Sequence, residues 1–268
     1  MTQKLTGIPE TMLIPLWARA VESEQEKPII QDTKAVEMLS RIDYDFSKFE
    51  KAWLSQVGVS IRTMLLDNET LAFVRRNPGA VIVNLGSGLD TRYERLEDEG
   101  ISFWYDLDLP DAIKLRQMFF TESEKNKFIA KSAFDLSWME DIDCTSKPVL
   151  IIAEGLLMYF SEAEVRWLFR QIASHLTGAE MLFEMLAPFL VGRSKHHESV
   201  KKLESAAEFK WGLKDSREIE SWDEHIRFVE EWDYFDYHKN RWKWFGYFGR
   251  FPLIRPMFSN RIVHLKFS

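Results

Sequence analysis

The sequence predicts an α/β fold built on a mostly parallel sheet, and three observations predict it. A stretch with helical character runs to about residue 78, short continuous apolar runs then alternate with helix-period segments, and a glycine turn, Gly86-Ser87-Gly88, follows the first of those runs. Runs that are apolar throughout, rather than alternating, suit strands covered on both faces, as parallel strands are.

In chain order, apolar residues recur at helical spacing over 33–39 and again over 49–74, and no strand is expected before residue 78. Asn77-Pro78-Gly79 breaks the helix, and the β-branched run at 80–85 reads as the first strand. A second strand is expected at 101–107, a helix at 111–120, a third strand at 128–131 and a fourth at 149–153. Ser161-Glu162-Ala163-Glu164 has the form of a capping box, so a helix should open there and run to about Leu176, where Gly178 stops it. Residues 180–185 read as a fifth strand, 189–225 as an insertion of helices and loops, and 228–237 with 260–267 as a closing hairpin. With no repeat and no Gly/Ser linker, one domain over 1–268 is expected: a helical cap or lid (1–78), a ligand-binding core (79–187), and the insertion with its hairpin (188–268).

The 268 residues are 46% hydrophobic and 29% charged, enough for a sizeable core, and the net charge of -7 argues against a nucleic-acid partner, which calls for a basic face. A small-molecule acceptor fits better. Cys144 is the lone cysteine, and no segment reads as a secretory signal or a membrane span, so a cytoplasmic protein without membrane contact is expected.

Four elements carry chemistry, each at the C-terminal end of an expected strand, the edge where open α/β sheets bind ligands. The first is the turn from Leu85 to Arg92, whose glycines let backbone approach a ligand; Thr91 stands where a dinucleotide fingerprint has its third glycine. The second is Tyr105-Asp106-Leu107-Asp108-Leu109-Pro110, with two carboxylates placed for a ribose diol. Strand alternation puts Asp106 and Asp108 on one face, so spacing does not separate them, and either could instead cap the next helix. The third is Ser132-Ala133-Phe134-Asp135-Leu136, where Asp135 could accept from an adenine amino group or simply be a solvated turn residue. The fourth is the apolar strand ending in Ala153-Glu154-Gly155-Leu156-Leu157-Met158-Tyr159. A carboxylate there needs a partner, whether a ligand or a structural cation.

The glycine turn with Asp90-Thr91-Arg92, the Asp106–Pro110 segment, Glu154–Tyr159 and the N-terminal Pro15-Leu16-Trp17-Ala18-Arg19-Ala20 together carry a resemblance. On them the chain resembles the leucine carboxyl methyltransferase family, and within it a bacterial branch similar to tetracenomycin-type polyketide O-methyltransferases. The resemblance runs over nearly the whole chain and is clearest over 80–185. It implies a Rossmann-like class I methyltransferase sheet of seven strands, the last antiparallel, with an N-terminal helical cap and S-adenosyl-L-methionine at the strand ends. By the family pattern Gly86 and Gly88 approach the cofactor, Asp108 rather than Asp106 holds its ribose, Asp135 and Leu136 meet its adenine, and Glu154 lies beside its methionine part. Arg62 resembles the arginine that pairs with the cofactor carboxylate, and Arg19 is a second candidate for that role. Trp17 and Tyr159 are candidates on the acceptor side.

The expected reaction is methyl transfer to an oxygen of a small organic molecule, and a carboxylate acceptor is favoured because no catalytic base stands out in the sequence. A carboxylic acid, with a pKa near 4, is already ionised at neutral pH. A nicotinamide-dependent oxidoreductase and a non-catalytic S-adenosylmethionine-binding module are the alternatives, and Thr91 counts against the first. His196-His197-Glu198 lacks the further ligands a metal site needs, so no metal is expected. The basic-aromatic run at 241–248 reads as a packed, partly exposed segment.

Overall fold

A computed structural model describes residues 3–4, 10–96, 100–193 and 208–268. The break at Pro78-Gly79 releases a run whose every side chain is buried, β1 (Val81–Leu85). Alternation explains why: Val81, Val83 and Leu85 pack on the side of Phe169 and Ile172, whereas Ile82 packs on the opposite side with Leu65 and Leu66. Helices therefore cover both faces of this strand. The same holds for β4 (Val149–Ala153), which is buried throughout.

Five further strands complete the sheet: β2 (Phe103–Asp108), β3 (Asn126–Ala130), β5 (Glu180–Met185), β6 (Ile226–Asp233) and β7 (Arg261–Phe267). The order is β3-β2-β1-β4-β5-β7-β6. β1 to β5 run parallel, and β7 pairs antiparallel with both β5 and β6, setting Phe183 beside Val263. This is the class I methyltransferase sheet. The strand order reverses between β1 and β4, and the crevice beyond their C-terminal ends is where such a sheet takes its ligand.

The helices are α1 (Leu13–Ser23), α2 (Thr33–Arg41), α3 (Trp53–Arg76), the short α4 (Arg92–Leu96), α5 (Pro110–Arg116), α6 (Glu162–His175) and the single turn α7 (Arg255–Phe258). The capping box is present: the Ser161 backbone donates to Glu164 at 2.7 Å, and the Glu164 backbone donates to the Ser161 hydroxyl at 3.4 Å. α1 buries Leu16, Trp17 and Ala20 in an apolar cluster with Phe49, Met158 and Leu186. That cluster fixes the N-terminal helices over the strand ends. Among the described residues, no helix is long and apolar enough to cross a membrane.

Three expectations are corrected. The N-terminal region is not free of strand, because Gln3–Lys4 pairs in parallel with Ile42–Asp43. α5 ends at Arg116 rather than 120; the Arg116 guanidinium turns inward to Asp106 at 2.7 Å while the backbone tightens into turns that end at Phe119 and Phe120. β6 and β7 do pair, but the strand expected to reach 237 stops at Asp233. 3-10 turns then carry the chain over Tyr234–Asp236 and Lys239–Arg250, so the larger helical excursion lies between the last two strands. Before them the described part of the insertion holds short 3-10 turns at Pro188–Leu190 and Ser216–Trp222.

Candidate active site

The turn after β1 is folded back on the end of β2. Gly86 and Ser87 both donate backbone N–H groups to Leu107 O, at 2.8 and 3.1 Å, and Gly88 donates to Asp108 Oδ2 at 2.8 Å. Gly86 and Gly88 have φ of +67° and +47°, the left-handed region that L side chains rarely adopt, and a Cβ on Gly86 would stand 2.8 Å from Leu156 Cδ1. The turn requires glycine for conformation as well as for space. Its Ser87 hydroxyl is buried and has no hydrogen-bond partner among the described residues.

The two aspartates that alternation could not separate occupy different environments. Asp106 is fully buried and accepts from Asn84 Nδ2, Trp104 Nε1 and Arg116 Nη2 at 3.1, 3.0 and 2.7 Å. Burial raises its pKa against the pull of Arg116. Asp108 instead lines a cavity, with its carboxylate fixed by the backbones of Gly88 and Leu109 and its pKa also raised by burial.

That cavity has a volume of about 790 Å³ and opens along the strand ends under α1. Arg62, Gly86, Gly88, Asp108, Glu154 and Tyr159 all line it, as does Arg19. At its polar end Arg62, from α3, donates to Glu154 Oε1 and Glu184 Oε2, both at 2.7 Å. The second oxygen of Glu154 accepts from Arg92 Nη2 at 2.5 Å, and Arg92 continues to Asp90 and Asp67 at 2.6 and 2.7 Å. Burial alone would raise the Glu154 pKa, but Arg62 and Arg92 outweigh it and hold the carboxyl well below the usual carboxylate range. The same pairs raise Arg62 and Arg92 in spite of their burial. The other Glu184 oxygen accepts from Tyr234 and Asn260, both at 3.1 Å. Burial, then Glu184, pushes the Tyr159 phenol up to about 12.

Arg19 is fully enclosed, and its guanidinium donates to Asp32 at 2.9 Å and to the Leu89 carbonyl at 2.8 Å, tying α1 to the glycine turn. The structure does not bring every expected residue to the cavity. Trp17 packs inside the N-terminal cluster against Phe49, ring centroids 5.6 Å apart. Asp135 is exposed and accepts from the Ser137 backbone and hydroxyl at 3.2 and 2.7 Å, capping the 3-10 turn Leu136–Glu140; neither it nor Leu136 lines the cavity. His196-His197-Glu198 falls outside the described residues. Sequence reasoning missed Glu184, Asp32 and Asp67. A signal existed for Glu184, since a charge inside the apolar run Met181-Leu182-Phe183-Glu184-Met185 needs a buried partner as Glu154 does.

The residues present fit a nucleoside carrying an amino-acid tail. Asp108 offers a carboxylate at the sugar position beside a turn without side chains, the Ser87 hydroxyl is unpartnered, and the charged Arg62–Glu154 end suits an α-amino and α-carboxylate group. From that end the cavity continues to an apolar wall that includes Phe189, Phe209, Phe235 and Phe245.

Such a sheet and site define a class I methyltransferase, and the comparisons with known proteins agree. The model of the leucine carboxyl methyltransferase family matches residues 12–173. The tetracenomycin polyketide synthesis O-methyltransferase TcmP of Streptomyces glaucescens is 33% identical over 227 residues, 85% of this chain and 83% of the relative. The S-adenosyl-L-methionine-dependent methyltransferase dpfgK of Gibberella zeae is 32% identical over 240 residues, 81% of this chain and 79% of that one. A crystal structure of a SAM-dependent methyltransferase from Anabaena variabilis superposes with a TM-score of 0.54 at 12% identity, over 83% of this chain and 94% of its own, and so shares the fold. The chain belongs to the leucine carboxyl methyltransferase family, and it is an enzyme whose methyl donor is S-adenosyl-L-methionine.

Proposed function

We propose that this enzyme transfers the methyl group to a carboxylate oxygen of a small organic molecule, giving a methyl ester. The observation that carries the reading is that, among the described residues, no cavity-lining group is set up as a general base. Glu154 and Glu184 have both oxygens engaged, Asp108 is held by two backbone donors, and Tyr159 is a phenol pushed up to about 12. No histidine, lysine or cysteine lines the cavity among the described residues. An alcohol or phenol acceptor would need proton removal, whereas a carboxylate needs alignment and exclusion of water. S-adenosyl-L-methionine supplies an electrophilic sulfonium methyl. Gly86, Gly88 and Asp108 would hold its nucleoside and the Arg62–Glu154 pair its amino-acid end, with Arg19 fixing the turn through Leu89. The aromatic wall would orient an apolar acceptor and keep water out. TcmP is named for polyketide synthesis, and an acceptor of polyketide type suits that wall in volume and polarity. Tyr159→Phe tests the claim. It should retain activity to within about threefold, since removing a true general base lowers rates by about 10²- to 10⁴-fold; a loss of that size with cofactor affinity intact would overturn the reading.

A further inference from the structure

The chain carries a net charge of -7, yet residues 239–255 contain Lys239, Arg241, Lys243, Arg250 and Arg255 and no acidic residue. Arg241 is consumed by Glu22 at 2.7 Å, and Arg255 by Asp233 and Asp236. Lys239, Lys243 and Arg250 are exposed and have no carboxylate partner among the described residues; Lys243 and Arg250 lie over the rings of Trp53 and Tyr247. They border a cleft of about 270 Å³, which Arg255 and Asp236 also line. The same segment exposes Trp244 at 64%, Tyr247 at 58%, Phe251 at 57% and Leu253 at 88%. Clustered exposed apolar groups of this size mark an interaction surface.

We propose that residues 239–255 form a docking surface for an anionic phospholipid membrane. Trp and Tyr are the side chains that settle at the headgroup level, Phe251 and Leu253 can enter the acyl boundary, and the free cations face lipid phosphates. The cleft between Lys239, Lys243 and Arg250 is of a size to take a phosphate headgroup. A second copy of the chain fits less well, because residues 239–255 bring no carboxylate of their own to meet the unpaired cations of a symmetric partner. Trp244 and Phe248 also line the large cavity, so docking would set the mouth of the acceptor site at the lipid surface.

Co-sedimentation of the full chain with vesicles tests this. Phosphatidylcholine vesicles with about 30% phosphatidylserine should bind about 100-fold more strongly than phosphatidylcholine alone, from about fivefold for each of the three cations. Binding should weaken in high salt, which screens surface charge. The combined Lys239→Gln, Lys243→Gln and Arg250→Gln variant should bind anionic vesicles no better than neutral ones, and Leu253→Ser with Phe251→Ser should lower binding to both while circular dichroism shows an unchanged fold. No vesicle binding, or a triple variant that binds as the native chain does, overturns the proposal. A dimer in sedimentation velocity that Leu253→Ser dissociates, together with no vesicle binding, assigns the surface to a second copy.

Discussion

Replacing Asp108 and Asp106 separately should divide two carboxylates two positions apart on one strand into a binding phenotype and a stability phenotype. Asp108 lines the cavity, and its carboxylate is held by Gly88 N at 2.8 Å and Leu109 N at 2.7 Å with further acceptor capacity facing the cavity. With Asp108 holding the cofactor ribose as proposed, Asp108→Ala should remove hydrogen bonds to a charged group, about 1.5–3 kcal/mol, or roughly 10- to 150-fold in Kd. Its stability effect should stay small, because the freed backbone N–H groups border the open cavity and can bond to water. Asp106 is fully buried, and its removal leaves Arg116, 1% exposed, without its charge partner. Breaking a buried pair in that way costs about 3–5 kcal/mol. Isothermal titration with S-adenosylhomocysteine reads the first quantity and urea denaturation the second. An Asp108→Ala variant that binds normally, or an Asp106→Ala variant that is fully stable but fails to bind, would refute the reasoning and exchange the roles.

Two further outcomes follow from the same geometry. Burial, only partly offset by Arg116, pushes the Glu94 carboxyl up to about 7 from its ordinary 4.5, so its stability contribution is fully present below pH 4.5 and is lost as pH rises through 7. Stability should fall by up to about 3 kcal/mol across that window, about 2 after solvent screening, and Glu94→Gln should flatten the slope in urea denaturation near pH 5.5 and near pH 8; an unchanged slope contradicts the assignment. If the N-terminal helices act as a lid, cofactor should slow hydrogen exchange in residues 10–25, where Met12, Ile14 and Arg19 line the cavity. Exchange there that ignores the ligand while the glycine turn responds would make α1 scaffold only.

The parts of the fold that were legible in the sequence are those whose physics is local or fully buried. β4 falls at the expected 149–153 because it is wrapped on each face and reads as an unbroken apolar run, β5 at 180–185 because its apolar run is interrupted only by the buried, paired Glu184, and the α6 start was written in the capping box at Ser161. The excursion over 234–258 was not legible. Its aromatic and basic residues follow neither a 3.6 nor a 2.0 period, and its 3-10 geometry is set by tertiary ring contacts such as Phe235 on Trp242 at 5.1 Å. In the site, motif spacing pointed to the turn, the Asp106–Asp108 pair and Glu154, and the family resemblance added Arg62 and favoured Asp108; the turn, Asp108, Glu154 and Arg62 line one cavity. Spacing alone could not choose between Asp106 and Asp108, since alternation gives them one face; in the fold the reach of Arg116 from α5 to Asp106 tells them apart. Nor could spacing find Asp32, the N-cap of α2, or Asp67 on α3, because their partners Arg19, Arg92 and Arg95 come from other elements that only the fold brings beside them.

Methyl transfer to an oxygen that is already ionised is read directly in the chemistry of the product. The protein is incubated with methyl-labelled S-adenosyl-L-methionine and a panel of apolar carboxylic acids, each paired with its alcohol or phenol analogue, and the products are treated with mild alkali. Label should appear on the carboxylic acids and be released as methanol, because esters hydrolyse under conditions in which ethers persist. Alkali-stable label on a hydroxyl would contradict a carboxylate acceptor.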